Sequence, residues 1–366
     1  MLSPLFKPVD FADCPGWQDD HHLPAFEAFR RSAQHVLEKP YKSGSLGISF
    51  EVLAPIFADS RETSVETDAA ARQFFERWFR PAVVRPADAE DGFVTGFYEP
   101  EVVASPVRTD RFTVPFLGRP ADLVDVDNGN RPQDFDPYFA FARKTPEGLT
   151  EYFDRPAIER GALSDQGLEI AFVESPVDAF FIHVQGAARL NMTDGRLLRI
   201  TYAAKTGHRF TGIGRILLES GEVPAEKMSM QAIRAWLAAN PDKAQALMWN
   251  NRSYIFFREA DVEDETLGPV AAAKVPLTNG RSLAVDRLLH TFGTPFYIHA
   301  PDLKAFGGDG FSRLMIAQDT GSAIVGPARG DLFAGSGDAA GEIAGGIRNR
   351  ADFYALVPRS LLAAAR

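Results

Sequence analysis

At 366 residues, with 45% hydrophobic and 24% charged residues, the chain has the size of two ordinary domains and the composition of a folded globular protein. Its net charge of −10 argues against a nucleic-acid surface and for a neutral or cationic ligand. The single cysteine, Cys14, excludes an internal disulfide and a cysteine-rich metal site, and no apolar run is long enough to span a membrane.

Met1 to Asp10 has neither the basic start nor the apolar core of a signal peptide, so either the protein is cytoplasmic or an export signal is trimmed or unconventional. His21-His22 beside Asp19 and Asp20 reads as a solvated acidic–histidine patch. Apolar residues at helical spacing (Leu23, Phe26, Phe29, Ala33, Val36, Leu37) predict a helix that Lys39-Pro40 stops. A second helix is expected from Thr67 to Phe79, capped by Thr67 or Asp68, with Phe74, Phe75, Trp78 and Phe79 turned inward. Phe93 to Pro100 alternates like a strand but holds Gly96, which a strand tolerates for a bulge or for a closely approaching ligand. Tyr98 and Glu99 stand at its end.

Residues 106–250 read as a distinct, mainly β section. Turn-rich pieces from Pro106 to Tyr138 precede alternating runs at Leu168–Phe172 and Ala179–Gln185, then a strand at Arg196–Tyr202 and a run at Ile213–Leu218. Gln185, before Gly186 and Arg189, is either a polar contact for a sugar or a buried glutamine satisfied by backbone. Glu226 to Met248 is the one strong helical segment, interrupted where Asn240 can cap a following helix and Pro241 can take its first position.

Short strands resume at Ser253–Phe257, with two more between Gly268 and Asp286, then Phe296–His299, Leu314–Ala317 and Phe353–Val357; such a series suggests barrels. Asp286 and Asp319 each follow an apolar run. Asp331 closes a stretch of small and turn-forming residues, and Gly335, Gly337 and Asp338 look like a turn and cap before a helix at Ala339–Ala344. Carboxylates at strand ends in a glycine-rich setting can be partly shielded, which raises their pKa toward proton donation; turn capping is the plainer reading.

Asp319-Thr320-Gly321-Ser322-Ala323 matches a pepsin-type loop, but that chemistry needs a second such loop, and Thr193-Asp194-Gly195 is no equivalent. His183, His208, His290 and His299 lack zinc spacing, the GxSxG elbow is missing, and Gly212 to Gly214 falls short of a dinucleotide fingerprint. No cofactor and no metal are called for.

Together these stretches resemble the membrane-bound lytic murein transglycosylase A family. The matches run in order through Thr95-Gly96-Phe97-Tyr98-Glu99-Pro100, Phe181 to Gly186, Gly212 to Arg215, Met228 to Ile233, Ser253 to Phe257, Val275-Pro276-Leu277, Arg281 to Asp286 and Ala317 to Asp338. The C-terminal part looks like the three-aspartate (3D) module of cell-wall proteins, with its acids at Asp286, Asp319 and Asp331. The resemblance implies a double-psi β-barrel built from 1–105 and 251–366, with 106–250 inserted as a β-rich second domain and a glycan groove between them. It implies Asp331 as catalytic acid, Asp319 as its partner and Asp286 in support; Thr95, Tyr98 and Gln185 are candidate glycan contacts, with Tyr98 stacking on a sugar face.

The implied substrate is the peptidoglycan strand, cut between N-acetylmuramic acid and N-acetylglucosamine with formation of a 1,6-anhydro ring. The implied setting is the periplasm, the protein a monomer associating with the outer membrane or other cell-wall enzymes. The family carries a lipidated cysteine after its signal peptide; Cys14, with no apolar run before it, does not read as that site. A non-catalytic, expansin-like wall-binding protein and a hydrolytic glycosidase are the alternatives.

Overall fold

The computed structural model describes residues 2–85, 91–262 and 264–363. They divide into two compact units, Met1–Tyr98 with Val262–Arg366, and Glu99–Asp261. Helix and strand take about 29% each, so the chain is mixed rather than mainly β.

The first unit is built on an eight-stranded sheet. Its order is Phe6–Pro8, Phe79–Val84, Arg348–Pro358, Pro295–Ala300, Phe311–Asp319, Ser282–Val285, Arg329–Ser336 and Gly92–Glu99. The last strand also pairs with Arg348–Pro358 (Thr95 opposite Arg348), so the sheet returns on itself as a ring. Ser282–Val285 and Phe311–Asp319 run parallel.

Three helices, His22–His35, Phe50–Glu62 and Asp68–Trp78, cover one side of this unit. The apolar stripe read at Phe26 and Phe29 meets Phe57 and Phe74 there, each pair at 4.9 Å between ring centroids. Such aromatic pairs add about 0.5–1.5 kcal/mol beyond the area they bury. Thr67 caps its helix, accepting from the Ala70 N–H at 3.2 Å.

The expected acidic–histidine surface patch is only half correct. His21 is exposed and pairs with Asp68, but His22 is buried, and burial holds its imidazole below its ordinary pKa. Asp20 forms a bidentate pair with Arg281 at 2.8 and 2.9 Å and accepts the Leu314 N–H at 2.7 Å. These two side chains are 3% and 7% exposed. They clip the N-terminal segment onto the two strands that lead to Asp286 and Asp319. Cys14 is also buried, its thiol pushed up to about 12 by burial first and by Asp13 second.

The second unit holds a four-stranded sheet (Ile255–Glu259, Leu197–Lys205, Ala187–Met192, Glu101–Ala104), a two-stranded one (Val114–Leu117, Glu169–Val173) and a three-stranded one (Leu123–Asp125, Phe141–Thr145, Gly148–Thr150). Its helices go beyond the single expected segment. Ala179–Gln185 belongs to the helix Pro176–Gln185, and Ile213–Leu218 lies in the helix Ile213–Glu219. Met230–Ala239 and Pro241–Trp249 break at Asn240 as expected, but the Asn240 amide donates back to the Trp236 carbonyl at 2.9 Å, closing the first helix instead of capping the second.

Removing one partner of a buried pair leaves an uncompensated charge, at a cost of about 3–5 kcal/mol. Asp20→Ala is therefore expected to lose about that much in urea unfolding, and Asp20→Ala with Arg281→Met to recover most of it. A single-variant loss below about 1 kcal/mol would show that the clip is dispensable.

Candidate active site

The strand Ser282–Val285 lies between the strands that end on Asp319 and begin before Asp331. Ala284 stands opposite Asp319 on one side and opposite Asp331 on the other. Residues in direct register share a face, so both acids leave the sheet on one side, two strand spacings or about 10 Å apart at Cα. Regular pairing would put Gln318 opposite Ala284. A register shift between Leu283 and Ala284 makes Gln318 the additional residue and carries Asp319 onto the face of Asp331.

Gln318 is fully buried and hydrogen-bonded throughout. Its amide donates to the Ala28 carbonyl and Ser32 Oγ at 2.8 and 2.9 Å, and its Oε1 accepts from Ser282 Oγ at 2.6 Å. After Asp319, the Thr320 hydroxyl donates to the Val285 carbonyl at 2.8 Å and ties the strand ends together.

Both carboxyls keep some solvent access, yet each lies deep enough for burial to govern its titration. Asp319 is pushed up to about 6, by burial first and by the charge of Asp331 further down; N–H groups of Thr320 and Ala272 and the Lys274 ammonium pull the other way. Burial also raises Asp331, against the Thr95 hydrogen bond and the Arg329 charge. The apolar surroundings are identifiable. Phe97, Leu277, Ala284, Ile324 and Phe333 form one buried cluster, with Phe97 two residues beyond Thr95 and Phe333 two beyond Asp331 on the same faces.

Thr95 Oγ1 donates to Asp331 Oδ1 at 2.5 Å and accepts from Arg329 Nη2 at 2.7 Å. The expected glycan contact is thus brought to the acid itself. Tyr98 is 8% exposed and its ring lies against Gly341 in the helix Asp338–Gly345, so little of it is left to stack on a sugar. Gly96 on the same face gives room to Ala344 and Ile347, whose nearest atoms a Cβ would meet at 2.6–2.9 Å. The space is used by the helix, not by a ligand.

Asp286 is a turn residue, Oδ1 accepting the Leu288 N–H and Oδ2 the Gly326 N–H, both at 3.0 Å; it ties two loops beside the acids. Gln185, half-buried, ends its helix in the second unit. Arg189 is engaged by buried Glu99 at 2.8 Å. The reading of the sequence missed Gln318 and Arg329. Arg329 and Asp331 alternate on one strand and so share a face, a signal that was present.

Comparisons agree with this layout. The family model described as the MltA specific insert domain matches residues 93–258, and that of the 3D domain matches 281–357. Membrane-bound lytic murein transglycosylase A of Escherichia coli K12 is 33% identical over 257 residues, 69% of this chain and 61% of the relative, so the match spans about three fifths of that protein. A crystal structure of membrane-bound lytic murein transglycosylase from Agrobacterium tumefaciens is 51% identical, covers 99% of both chains and superposes with a TM-score of 0.93. E. coli MltA with bound chitohexaose is 26% identical over 97% of this chain and 94% of that one, with a TM-score of 0.69.

Because folding raises the pKa of Asp319, the unfolded chain releases that proton first. Stability therefore falls as pH rises from about 4 to about 6, and the penalty persists above that window. Asp319→Asn removes it and is expected to stabilise the protein by about 1–2 kcal/mol at pH 7.5, discounted for residual solvent access, and by almost nothing at about pH 3. Urea unfolding at the two pH values is the check; equal effects at both would contradict the raised pKa.

Proposed function

The chain belongs to the membrane-bound lytic murein transglycosylase A family, and on that premise we propose that it is a lytic transglycosylase of peptidoglycan with Asp331 as acid and then base. The carrying observation is the placement of two acids opposite Ala284, both raised by burial, with Asp331 fixed by Thr95. The chitohexaose held by the E. coli relative supports a glycan substrate.

In this reading, protonated Asp331 donates to the oxygen joining N-acetylmuramic acid to N-acetylglucosamine. The C1–O bond breaks and the N-acetylglucosamine hydroxyl leaves with that proton. The carboxylate then takes the proton of the muramic 6-hydroxyl as O6 bonds to C1, which restores the acid and consumes no water. Asp319 repels a second negative charge across Ala284, so the pair retains a proton to higher pH than an isolated aspartate. Ordinary glycosidases need two carboxyls flanking the bond. Here one performs both transfers.

We assign Asp286 a supporting role in holding the adjoining loops, and keep Gln185 as a contact to a sugar amide. We read the ring of strands as a double-psi β-barrel formed by the two chain ends, with residues 106–250 as the inserted domain. A periplasmic, membrane-associated setting follows from the substrate and from the relatives' names.

Asp331→Asn is expected to keep the fold and glycan binding while releasing no anhydro-muropeptides from purified cell wall, a loss of at least about a hundredfold for a general acid–base group. Mass spectrometry of the digest decides. Products one water heavier in the wild-type digest would make the enzyme a hydrolase, and binding without new sugar ends would make it an expansin-like wall protein.

A further inference from the structure

We propose that Arg329 is a positioning residue that, through the Thr95 hydroxyl, confines the transferable proton of Asp331 to Oδ2. The inference rests on the reading of Asp331 as the acid. Arg329 is held on three sides: Nη2 donates to Thr95 Oγ1 at 2.7 Å, Nη1 donates to the Gly330 carbonyl, and the guanidinium lies 5.7 Å from the Phe93 ring.

A guanidinium only donates, and a threonine hydroxyl has one hydrogen. With Arg329 occupying a lone pair of Oγ1, that hydrogen is directed at Asp331 Oδ1, 2.5 Å away. A proton on Oδ1 would require the hydroxyl to accept from two donors and to turn its own hydrogen away from the carboxylate. Oδ2 has no such competitor among these contacts, so it is the oxygen that presents the proton to the glycosidic oxygen. Between Arg329 and Asp331, Gly330 lets the strand sit close: a Cβ there would meet Leu283 at 2.8 Å and the Phe353 ring at 3.1 Å.

The charged groups around Asp331 are Arg329 on its own strand, Asp319 across Ala284, Lys274 beside Asp319, and Asp286 at the end of the central strand. Gly92–Glu99 offers the neutral Thr95, while Asp338, Glu342 and Arg348 on the neighbouring helix and strand are exposed. Arg329 is thus the cation that faces the acid most directly.

The test compares wild type, Arg329→Gln, Arg329→Lys, Thr95→Val and the Arg329→Gln/Thr95→Val double variant. Two readouts are used: the pH profile of anhydro-muropeptide release, and the carboxyl titration of Asp331 by carbon-13 NMR of the full chain, assigned with Asp331→Asn. Arg329→Gln is expected to lower kcat about tenfold with KM little changed, and to move the Asp331 midpoint up by about one pH unit. Arg329→Lys should restore the midpoint but not all of kcat. Adding Arg329→Gln to Thr95→Val should cost little further kcat, since the route through the hydroxyl is already gone. An unmoved Asp331 midpoint in Arg329→Gln, or an undiminished kcat loss on the Thr95→Val background, overturns the proposal. Should wild type release no anhydro product, the functional reading fails, and the NMR midpoints alone decide whether Arg329 governs Asp331. Should Arg329→Gln not fold, Arg329→Lys and Thr95→Val carry the same comparison.

Discussion

One misfit in a parallel strand pair decides where the two buried acids stand relative to each other. Side chains on a strand alternate, so the acids at 319 and 331 share a face only if one strand carries an additional residue. Gln318 is that residue. A glutamine forced out of register in a core would be costly unless all its polar groups were matched. Here they are, by Ala28 and Ser32 on a helix and by Ser282 on the neighbouring strand. The helix His22–His35 is therefore more than a cover for the sheet. It holds the irregularity that aims Asp319.

The acids themselves work against stability. Each would rather be hydrated and ionised, and folding withholds part of that. The site tolerates this because it is supported elsewhere. Asp20 and Arg281 fasten the N-terminal segment to the strands of Asp319 and Ala284, and the aromatic contacts of Phe26, Phe29, Phe57 and Phe74 fill the adjoining core. Thr95 and Arg329 then limit how far Asp331 is raised. Burial alone would raise it further, so the hydrogen bond and the charge act together as a counterweight.

Strong periodicity made much of this readable. The apolar run into Asp319, the strand at 282–285 and the helices at 22–35 and 68–78 lie where the pattern of apolar residues puts them. Pro176–Gln185 was misread because Val177, Phe180, Phe181, Ile182 and Val184 suit a strand. Yet Ser175 as cap, Pro176 at the first position and Gly186 in the left-handed region are helix boundaries written in the sequence. Phe50–Glu62 is a helix that the sequence reading does not contain, and Pro55 inside it runs against the usual helix signal. The register shift at Gln318 had no local sign. It follows from partners up to 290 residues away in sequence, which no window of the chain can display.

The stretch from Thr95 to Tyr98 shows how one strand can serve two surfaces. Thr95 and Phe97 point to the acids and to the apolar cluster beside them, while Gly96 and Tyr98 meet the helix Asp338–Gly345. The motif that carries the two candidate contacts Thr95 and Tyr98 thus separates into two layers. One layer carries the hydroxyl that bonds Asp331. The other fixes the strand against a helix that begins just after the Asp331 strand ends. A shift of Tyr98 or Gly341 would move Thr95 along its strand relative to the carboxyl. At 2.5 Å that hydrogen bond has little slack, so the tight packing behind the strand is a condition for the contact in front of it.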